Sequence, residues 1–347
     1  MDYKKLFIEG AVYPAMALLQ HNQVAARMRE LLAAETLPPE VRFQSLRQRL
    51  SELLYLCKTQ VPAYADLSFT DLDIRREPLD CLQAVDPMTL TDFFAERHNH
   101  LSRLQDRDHL LCCPFDEDQS PFYLTQAQLE QYEAARWRGL SWYGVTFGSA
   151  SVRLWDRPRP EYLLKEEPYL KNRLSLSVCA MTERSVAPTV EEIDRFKPEY
   201  LSGSASSLLT LAGHMERAGI SFSNQLKVVT VTQGVAAEDQ RRNMEQIFRC
   251  PVSQNLGERT EGVIAYMCPE GRLHIMAENC YVELLDPMTW TPVAPGKPGL
   301  LAVTDLVGET MPHLRVILDY TARWAGTPCP CGRTMPVLEG LEACRPQ

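Results

Sequence analysis

Two short cysteine-bearing stretches towards the end of the chain constrain the fold more than any other feature. The first runs from Cys268 to His274, and the second reads Cys329-Pro-Cys331-Gly-Arg. Together they supply three thiols and one imidazole, the number and type of ligands that a closed tetrahedral zinc site requires. We therefore predict a structural zinc site at Cys268, His274, Cys329 and Cys331. The alternative is that these side chains are unrelated.

Charge and composition exclude several classes of partner. The chain has 347 residues, with 36 Lys and Arg against 45 Asp and Glu, and a net charge of -9. An acidic chain without basic clusters argues against nucleic acid or an anionic membrane as the main partner. No apolar run approaches membrane-spanning length, no signal-peptide core is present, and an odd count of eleven cysteines favours reduced thiols. We expect a cytoplasmic protein.

The first part of the chain, residues 1–109, is predicted to form a helical N-terminal arm. Apolar residues from Phe43 to Cys57 recur at spacings of three and four, as on one face of an amphipathic helix. Val61-Pro62 should end that helix. Thr89 should cap a further short helix.

The remainder is predicted to contain a parallel α/β core at residues 110–250 and a β lobe at residues 251–347. Helical patterns at Thr125–Gly139 and beyond Leu208 alternate with Leu226–Thr232, which has the composition of a buried strand. In the lobe, Pro and Gly turns separate short apolar runs, so we predict mostly antiparallel strands whose loops carry the zinc ligands. These runs are Gly262–Met267, Arg272–Met276, Cys280–Leu285 and Leu300–Thr304.

Several segments that follow one another along the chain carry a family resemblance. Arg195–Leu208 has a Lys-Pro pair followed by Tyr-Leu-Ser-Gly-Ser, Gly257–Gly262 contains Thr-Glu-Gly, and Met311–Arg315 and Cys329–Thr334 continue the series. In this order they resemble the adenylate-forming enzymes related to phenylacetate–coenzyme A ligase and the capsule-biosynthesis ligases. The resemblance implies an α/β fold, the large N-terminal domain of such an enzyme, without the mobile C-terminal domain of full-length relatives.

The resemblance also implies an activity. The family uses ATP to convert a carboxylic acid into an acyl-adenylate, and then passes the acyl group to a thiol or another nucleophile. ATP or AMP, Mg²⁺ and a small, aromatic acid are the expected ligands, within a biosynthetic pathway. The acceptor is left open among CoA, a carrier protein and an amine, as are a homodimer and a partner enzyme of the pathway.

By this resemblance, the catalytic residues are Thr260 and Glu261. In the family the Thr hydroxyl contacts a phosphate and the Glu helps to hold Mg²⁺, a hard cation that prefers oxygen ligands. The turn here is one residue longer than in the family, and Leu256 replaces the aromatic residue that would stack on adenine. The alternative is a simple turn before a strand.

Nucleotide-binding residues implied in the same way are Asp319, Arg315, Gly257, Gln233 and Gly234. Asp319 would hydrogen-bond the ribose hydroxyls, although it lies one residue short of the usual spacing, and it would otherwise be a charge at a strand end. The acid itself is expected against Gly203, Ser204, Ala205 and Ser206. The alternative for this segment is that Ser206 or Ser207 caps the following helix.

The phosphate-binding loop of the family is degenerate in this chain. Residues 114–121 read Pro-Phe-Asp-Glu-Asp-Gln-Ser-Pro and contain neither the glycines nor the lysine that would hold phosphates. The carboxylates from Asp116 to Asp118 would repel a triphosphate unless Mg²⁺ bridges them. An enzyme that accepts an already activated acyl group therefore stays open. So does a catalytically silent homologue that binds a small acid or a partner protein.

Overall fold

The computed structural model describes Phe7, Gly10 and residues 22–103, 110–115, 120–158, 172–258 and 262–344. Its described residues form two compact units, the first with residues 136–257 and 266–271, the second with residues 24–135, 258–265 and 272–344. Among the helices of these residues, none is both long enough and apolar enough to cross a membrane.

The secondary structure alternates between helical and β-rich stretches. The helices are α1 (Val24–Ala33), α2 (Pro39–Gln60), α3 (Asp71–Arg76), α4 (Pro78–Gln83), α5 (Leu90–Ala95), α6 (Arg97–His100), α7 (Gln126–Ser141), α8 (Glu183–Phe196), α9 (Ala205–Ala218) and α10 (Glu238–Phe248). The strands are β1 (Met88–Thr89), β2 (Leu111–Phe115), β3 (Ser120–Leu124), β4 (Ser151–Trp155), β5 (Arg173–Ser177), β6 (Tyr200–Ser204), β7 (Val228–Gln233), β8 (Val252–Glu258), β9 (Gly262–Met267), β10 (Leu273–Ile275), β11 (Cys280–Leu285), β12 (Gly299–Asp305), β13 (Val316–Trp324) and β14 (Val337–Ala343).

Helix α2 confirms the helix predicted from the apolar stripe. Its buried residues are Leu50, Leu53, Leu54 and Cys57, and its last residue precedes Val61. The Val61 N–H closes the helix on the Cys57 carbonyl at 3.1 Å. Phe43 departs from the stripe, since it is 47% exposed.

Thr89 caps α5 as predicted. Its hydroxyl accepts the Asp92 N–H at 3.1 Å, and the Asp92 carboxylate accepts the Thr89 N–H at 3.3 Å. This reciprocal arrangement satisfies two donors that the first turn of a helix would otherwise leave without partners.

The first unit contains the predicted parallel core. Its strands lie in the order β8-β7-β6-β4-β5, and the pairs β4–β5, β4–β6, β6–β7 and β7–β8 are all parallel. Helices α8, α9 and α10 connect successive strands and pack their apolar faces in one cluster with the sheet, including Ile193, Leu211 and Met244. Val228, Val229 and Val231 of β7 are fully buried, as expected for a strand inside such a core.

The second unit contains the predicted antiparallel lobe. The pairs β11–β12, β12–β13, β13–β14 and β10–β14 are antiparallel. Strands β9 and β11 have the predicted bounds, Gly262–Met267 and Cys280–Leu285. The helical arm adds a strand that was not predicted, because β1 pairs in parallel with β13 through Met88 and Val316.

Candidate functional site

Three of the predicted zinc ligands, Cys268, Cys329 and Cys331, lie in loops as predicted, whereas His274 lies in a strand. Cys268 directly follows β9 and His274 lies within β10. Cys329 and Cys331 lie in the connection from β13 to β14. Because His274 is the ladder partner of Val337, at the start of β14, that connection returns to the strand carrying the imidazole.

The side chains of Cys268, His274, Cys329 and Cys331 place their ligand atoms within 4.8 Å of one another. The first three are buried and Cys331 is half-buried, and the distance from the Cys331 sulfur to His274 Nε2 is 3.3 Å. Tetrahedral zinc with arms of about 2.3 Å places its ligands about 3.8 Å apart, so the donor set fits the metal. Four protein ligands occupy every tetrahedral position, which suits a structural metal.

The Cys331 sulfur has a polar environment that favours the thiolate. Burial acts to raise the pKa of this thiol, but hydrogen bonds from the Arg333 N–H, the Cys329 side chain and the Arg333 guanidinium lower it below its ordinary value. The next residue, Gly332, has a φ of +80°, a backbone conformation that glycine adopts without strain. The loop thus turns sharply while its sulfur stays directed at His274.

A second candidate site lies at the carboxyl edge of the parallel sheet in the first unit. Strand β5 lies on one side of β4 and the next strand in sequence, β6, lies on the other. Such a reversal of strand order opens a crevice beyond the carboxyl ends of the strands, where open α/β sheets bind ligands. Asp156 directly follows β4, and Ser204 is the last residue of β6.

Two hydroxyls at this edge converge on one carboxylate. Ser204 Oγ donates to Asp156 Oδ2 at 2.9 Å, and Ser206 Oγ donates to the same oxygen at 3.2 Å. Ser204 Oγ also accepts the Ser207 N–H at 3.1 Å and caps α9, so the prediction that Ser206 or Ser207 is the cap is wrong. The helix begins two or three residues earlier than the run of serines suggested.

Gly203 and Ala205 flank Ser204 and are both buried. A Cβ atom at Gly203 would lie 2.5 Å from Ser207 Oγ and 3.1 Å from Leu154 Cβ, so this position has no room for a larger residue. Asp156 was not predicted as a site residue, although an acid directly after an apolar strand was a usable signal.

Gln233 and Gly234 lie at the end of β7, on the same edge. Gln233 is exposed, and Gly234 has a φ of +72°. Gln254 of β8 holds the following loop, because its amide donates to the Gly234 carbonyl at 3.0 Å and accepts the Ala236 N–H at 3.3 Å. Gln254 is a positioning residue that the sequence did not reveal.

The remaining residues of the predicted nucleotide turn are only partly described. Gly257 of β8 is half-buried, and Leu256 is 2% exposed. Thr260, Glu261 and the acidic segment 116–118 lie outside the described residues. Their proposed roles stay predictions.

Arg315 in the second unit contributes its guanidinium to internal contacts. Nε and Nη2 donate to the Glu283 carboxylate at 3.0 and 3.3 Å. Nη1 donates to the carbonyls of Gln83 and Val85 at 2.9 and 2.6 Å, and Nη2 donates to the Trp290 carbonyl at 3.3 Å. A nucleotide could contact this guanidinium only by displacing one of these partners.

Glu283 and Asp319 differ in environment. Burial raises the pKa of Glu283 above its ordinary value, against the opposing charge of Arg315. Asp319 is exposed on β13, and its backbone carbonyl accepts the Cys344 N–H at 2.9 Å. Its contact with a ribose stays a prediction.

A buried histidine lies apart from these residues in the second unit. His100 is 2% exposed, and its ring centroid lies 4.6 Å from that of Phe93 and 5.3 Å from that of Tyr64. Burial, followed by the charge of His313, lowers the pKa of His100 to about 4. The imidazole is therefore neutral at physiological pH.

Comparisons with known proteins agree with this architecture. No protein-family profile matches the chain. Phenylacetate-coenzyme A ligase of Thermus thermophilus is 30% identical over 172 residues, which are 44% of this chain and 35% of that enzyme. The Pseudomonas putida enzyme of the same name is 28% identical over 172 residues, 48% of this chain and 39% of that enzyme. The matches thus span little more than a third of these relatives' length.

Solved structures match over a larger part of the chain. The 2-hydroxyisobutyryl-CoA ligase in the postadenylation state gives a TM-score of 0.72 at 16% identity, covering 88% of this chain and 68% of that chain. An open conformation of a 2-hydroxyisobutyryl-CoA ligase with 2-HIB-AMP and CoA gives 0.71 at 16% identity, covering 88% and 75%. At this identity, the likeness shows a common fold.

Proposed function

We propose that this chain activates a small carboxylic acid by adenylation or transfers the resulting acyl group. Its similarity in sequence to phenylacetate-coenzyme A ligases and in fold to a 2-hydroxyisobutyryl-CoA ligase supports this proposal. The acid would bind at the carboxyl edge of the parallel sheet, against Gly203, Ser204, Ala205 and Ser206. The nucleotide would lie beside it, against Gln233, Gly234 and Gly257.

The observation that carries this proposal is the polar carboxyl edge at the reversal of strand order. Ser204, Ser206 and Asp156 meet there, and the loop of Gln233 and Gly234 is held at the neighbouring strand. Such an edge of an open α/β sheet presents hydrogen-bonding groups to a ligand. These groups support the proposal because an adenylate needs polar partners for its ribose, base and acyl carbonyl.

The proposed chemistry has two steps. A carboxylate oxygen of the acid attacks the α-phosphorus of ATP, the bond to the β-phosphate breaks, and pyrophosphate leaves. A nucleophile then attacks the acyl carbon and displaces AMP. We assign phosphate contact to Thr260 and the holding of Mg²⁺ to Glu261; when bound, the ion would offset the charge of the phosphates.

The substrate and acceptor follow from the relatives by analogy. The sequence relatives are named for phenylacetate, which supports an aromatic acid, and a structural relative binds CoA, which makes CoA the first acceptor to test. We place the activity in a biosynthetic pathway of the cytoplasm, where the odd number of eleven cysteines would stay reduced.

We also propose that Cys268, His274, Cys329 and Cys331 hold a structural zinc ion. The cluster of three sulfurs and one imidazole within 4.8 Å supports it. Elemental analysis of protein purified without chelator should give about one equivalent of zinc. Less than about half an equivalent would contradict the site.

Pyrophosphate exchange tests the adenylation step directly. The protein, with Mg²⁺ and ATP, is assayed against phenylacetate, benzoate and 2-hydroxyisobutyrate. At least one acid should drive incorporation of labelled pyrophosphate into ATP. Glu261→Gln should abolish this exchange because it removes the proposed Mg²⁺ ligand.

The matched control for this variant is Glu216→Gln, which removes one carboxylate from the exposed face of α9. It should leave the exchange unchanged. Full exchange by Glu261→Gln would refute the role assigned to Glu261.

A second function is favoured by two specific observations. The segment 114–121 lacks the residues that hold phosphates, and the Arg315 guanidinium is engaged internally. Both suit a silent homologue that binds a small acid or a partner protein. Calorimetry with Mg²⁺-ATP and with AMP separates the two functions, since binding supports the enzyme and no heat at millimolar nucleotide supports the silent homologue.

A further inference from the structure

The loop that carries two of the zinc ligands also contacts the helical arm within the second unit. Thr334 of this loop donates its N–H to the Glu35 carbonyl at 2.9 Å. The Thr334 hydroxyl lies 2.7 Å from the Leu37 carbonyl and 3.1 Å from the Glu35 carbonyl. The link between α1 and α2 is thereby attached to the residues that directly follow Cys331.

An ion pair makes a second connection between the same segments. Arg333 Nε donates to Glu35 Oε2 at 3.0 Å, and the two side chains are 18% and 12% exposed. Arg333 lies two residues after Cys331 in the same loop. The Glu35 carboxylate therefore pairs with a guanidinium that closely follows one of the proposed metal-binding sulfurs.

Arg42, in the first turn of α2, completes the attachment. Its Nη2 donates to Thr334 Oγ1 at 3.2 Å and to the Ala34 carbonyl at 2.7 Å. Its Nη1 pairs with Glu278 at 2.7 Å, with side-chain exposures of 12% and 14%. The loop of Cys329 and Cys331 thus contacts residues 34–42, which are also held by the bonds of Arg42 to the Ala34 carbonyl and to Glu278.

From these contacts we propose that zinc binding and the docking of residues 34–42 are thermodynamically coupled. The metal holds Cys329 and Cys331 so that Arg333 and Thr334 face the link between α1 and α2. Glu35 in return holds Arg333 and Thr334, and so helps to orient the loop of Cys329 and Cys331, as outer partners orient metal ligands elsewhere. Coupling of this kind is reciprocal, so each event strengthens the other by the same factor. The coupling rests on the proposed zinc site and requires no ligase activity.

Zinc affinity of the full chain tests one direction of the coupling. Competition with a chromophoric chelator should show zinc binding to Glu35→Gln about 10-fold weaker than to the wild type, because loss of an outer partner typically costs about 10–100-fold. Glu30→Gln, an exposed charge removal on α1, is the matched control and should bind zinc like the wild type. Circular dichroism checks that both variants are folded.

Hydrogen exchange tests the reverse direction. Treating the zinc-loaded protein with a chelator should raise amide exchange in residues 34–42 by at least about 10-fold, while exchange in α8 of the first unit stays the same. Unchanged exchange in residues 34–42, wild-type zinc affinity of Glu35→Gln, or failure of the wild type to bind zinc would each overturn the proposal. If the chelator unfolds the whole chain, the affinity of Glu35→Gln decides alone.

Discussion

The parallel sheet of the first unit packs through one apolar cluster, whereas the second unit combines apolar clusters with ion pairs whose partners are remote in sequence. In the first unit, Val229, Leu211 and Ile193 are fully buried among other aliphatic residues. In the second, Arg315 pairs with Glu283 and Arg333 with Glu35, the latter pair 298 residues apart. Aliphatic packing tolerates changes of shape, while a buried charge tolerates no loss of its partner.

The largest difference between the units is expected from breaking the Arg315–Glu283 pair. Both side chains are 3% exposed, so Arg315→Met leaves a buried carboxylate without its partner. The free energy of unfolding in urea should fall by about 4 kcal/mol. In the first unit, Met215→Leu at a fully buried position should cost less than about 1.5 kcal/mol.

The double variant Arg315→Met/Glu283→Leu sharpens this test. Replacing both charges by apolar groups removes the uncompensated carboxylate, so most of the lost stability should return. A double variant no more stable than Arg315→Met would show that packing, rather than charge pairing, stabilises this part of the lobe.

His100 is expected to have an intermediate effect on the free energy of unfolding, and this effect depends on pH. Its pKa is lowered to about 4 in the folded protein, below its value of about 6.5 in the unfolded chain. As the pH falls, His100 is therefore protonated in the unfolded chain before it is protonated in the folded protein. The contribution of the neutral imidazole to the free energy of unfolding is complete above about pH 6.5 and is lost as the pH falls towards about 4. Between about pH 6.5 and 4.5 the unfolding free energy of the wild type should fall by about 2 kcal/mol more than that of His100→Asn. Parallel curves for the two proteins would contradict this.

The smallest change in unfolding free energy is expected from substitutions at the carboxyl edge of the parallel sheet. Ser204→Ala removes the hydroxyl that accepts the Ser207 N–H and should lower the unfolding free energy by about 1 kcal/mol. Ser206→Ala removes an exposed hydroxyl from the same cluster without touching the cap and should cost less than about 0.5 kcal/mol. Equal losses for the two variants would argue against Ser204 as the cap.

Sequence patterns were sufficient for several features that local chemistry decides. Gly262–Met267 and Cys280–Leu285 were predicted with the bounds that the structure has, because each apolar run ends at residues that favour turns. The four side chains of the Cys/His cluster could be predicted together because few other pairings of thiols and imidazole have the number and type of donors that a metal site needs.

Features that depend on distant partners were not accessible in this way. Nothing near Met88 indicates that it pairs with Val316, and nothing near Arg315 indicates that Glu283 will neutralise it. The resemblance to the family assigned Arg315 to nucleotide binding because Arg315 lies at the matching place in the family's order of motifs.

The cap of α9 was misplaced for a local reason. Its position, Ser204, was missed by two or three residues because several neighbouring serines have the same capping chemistry.

The pairing of β1 with β13 has a consequence for synthesis on the ribosome. Residues 88–89 leave the ribosome long before residues 316–317. The residues of β1 therefore have no strand to pair with while most of the chain is synthesised. Within residues 172–257, the parallel strands β5, β6, β7 and β8 are joined by α8, α9 and α10, and this stretch can fold as a unit during that interval. We therefore expect the nascent helical arm, rather than the α/β core, to be the part of this protein that chaperones bind.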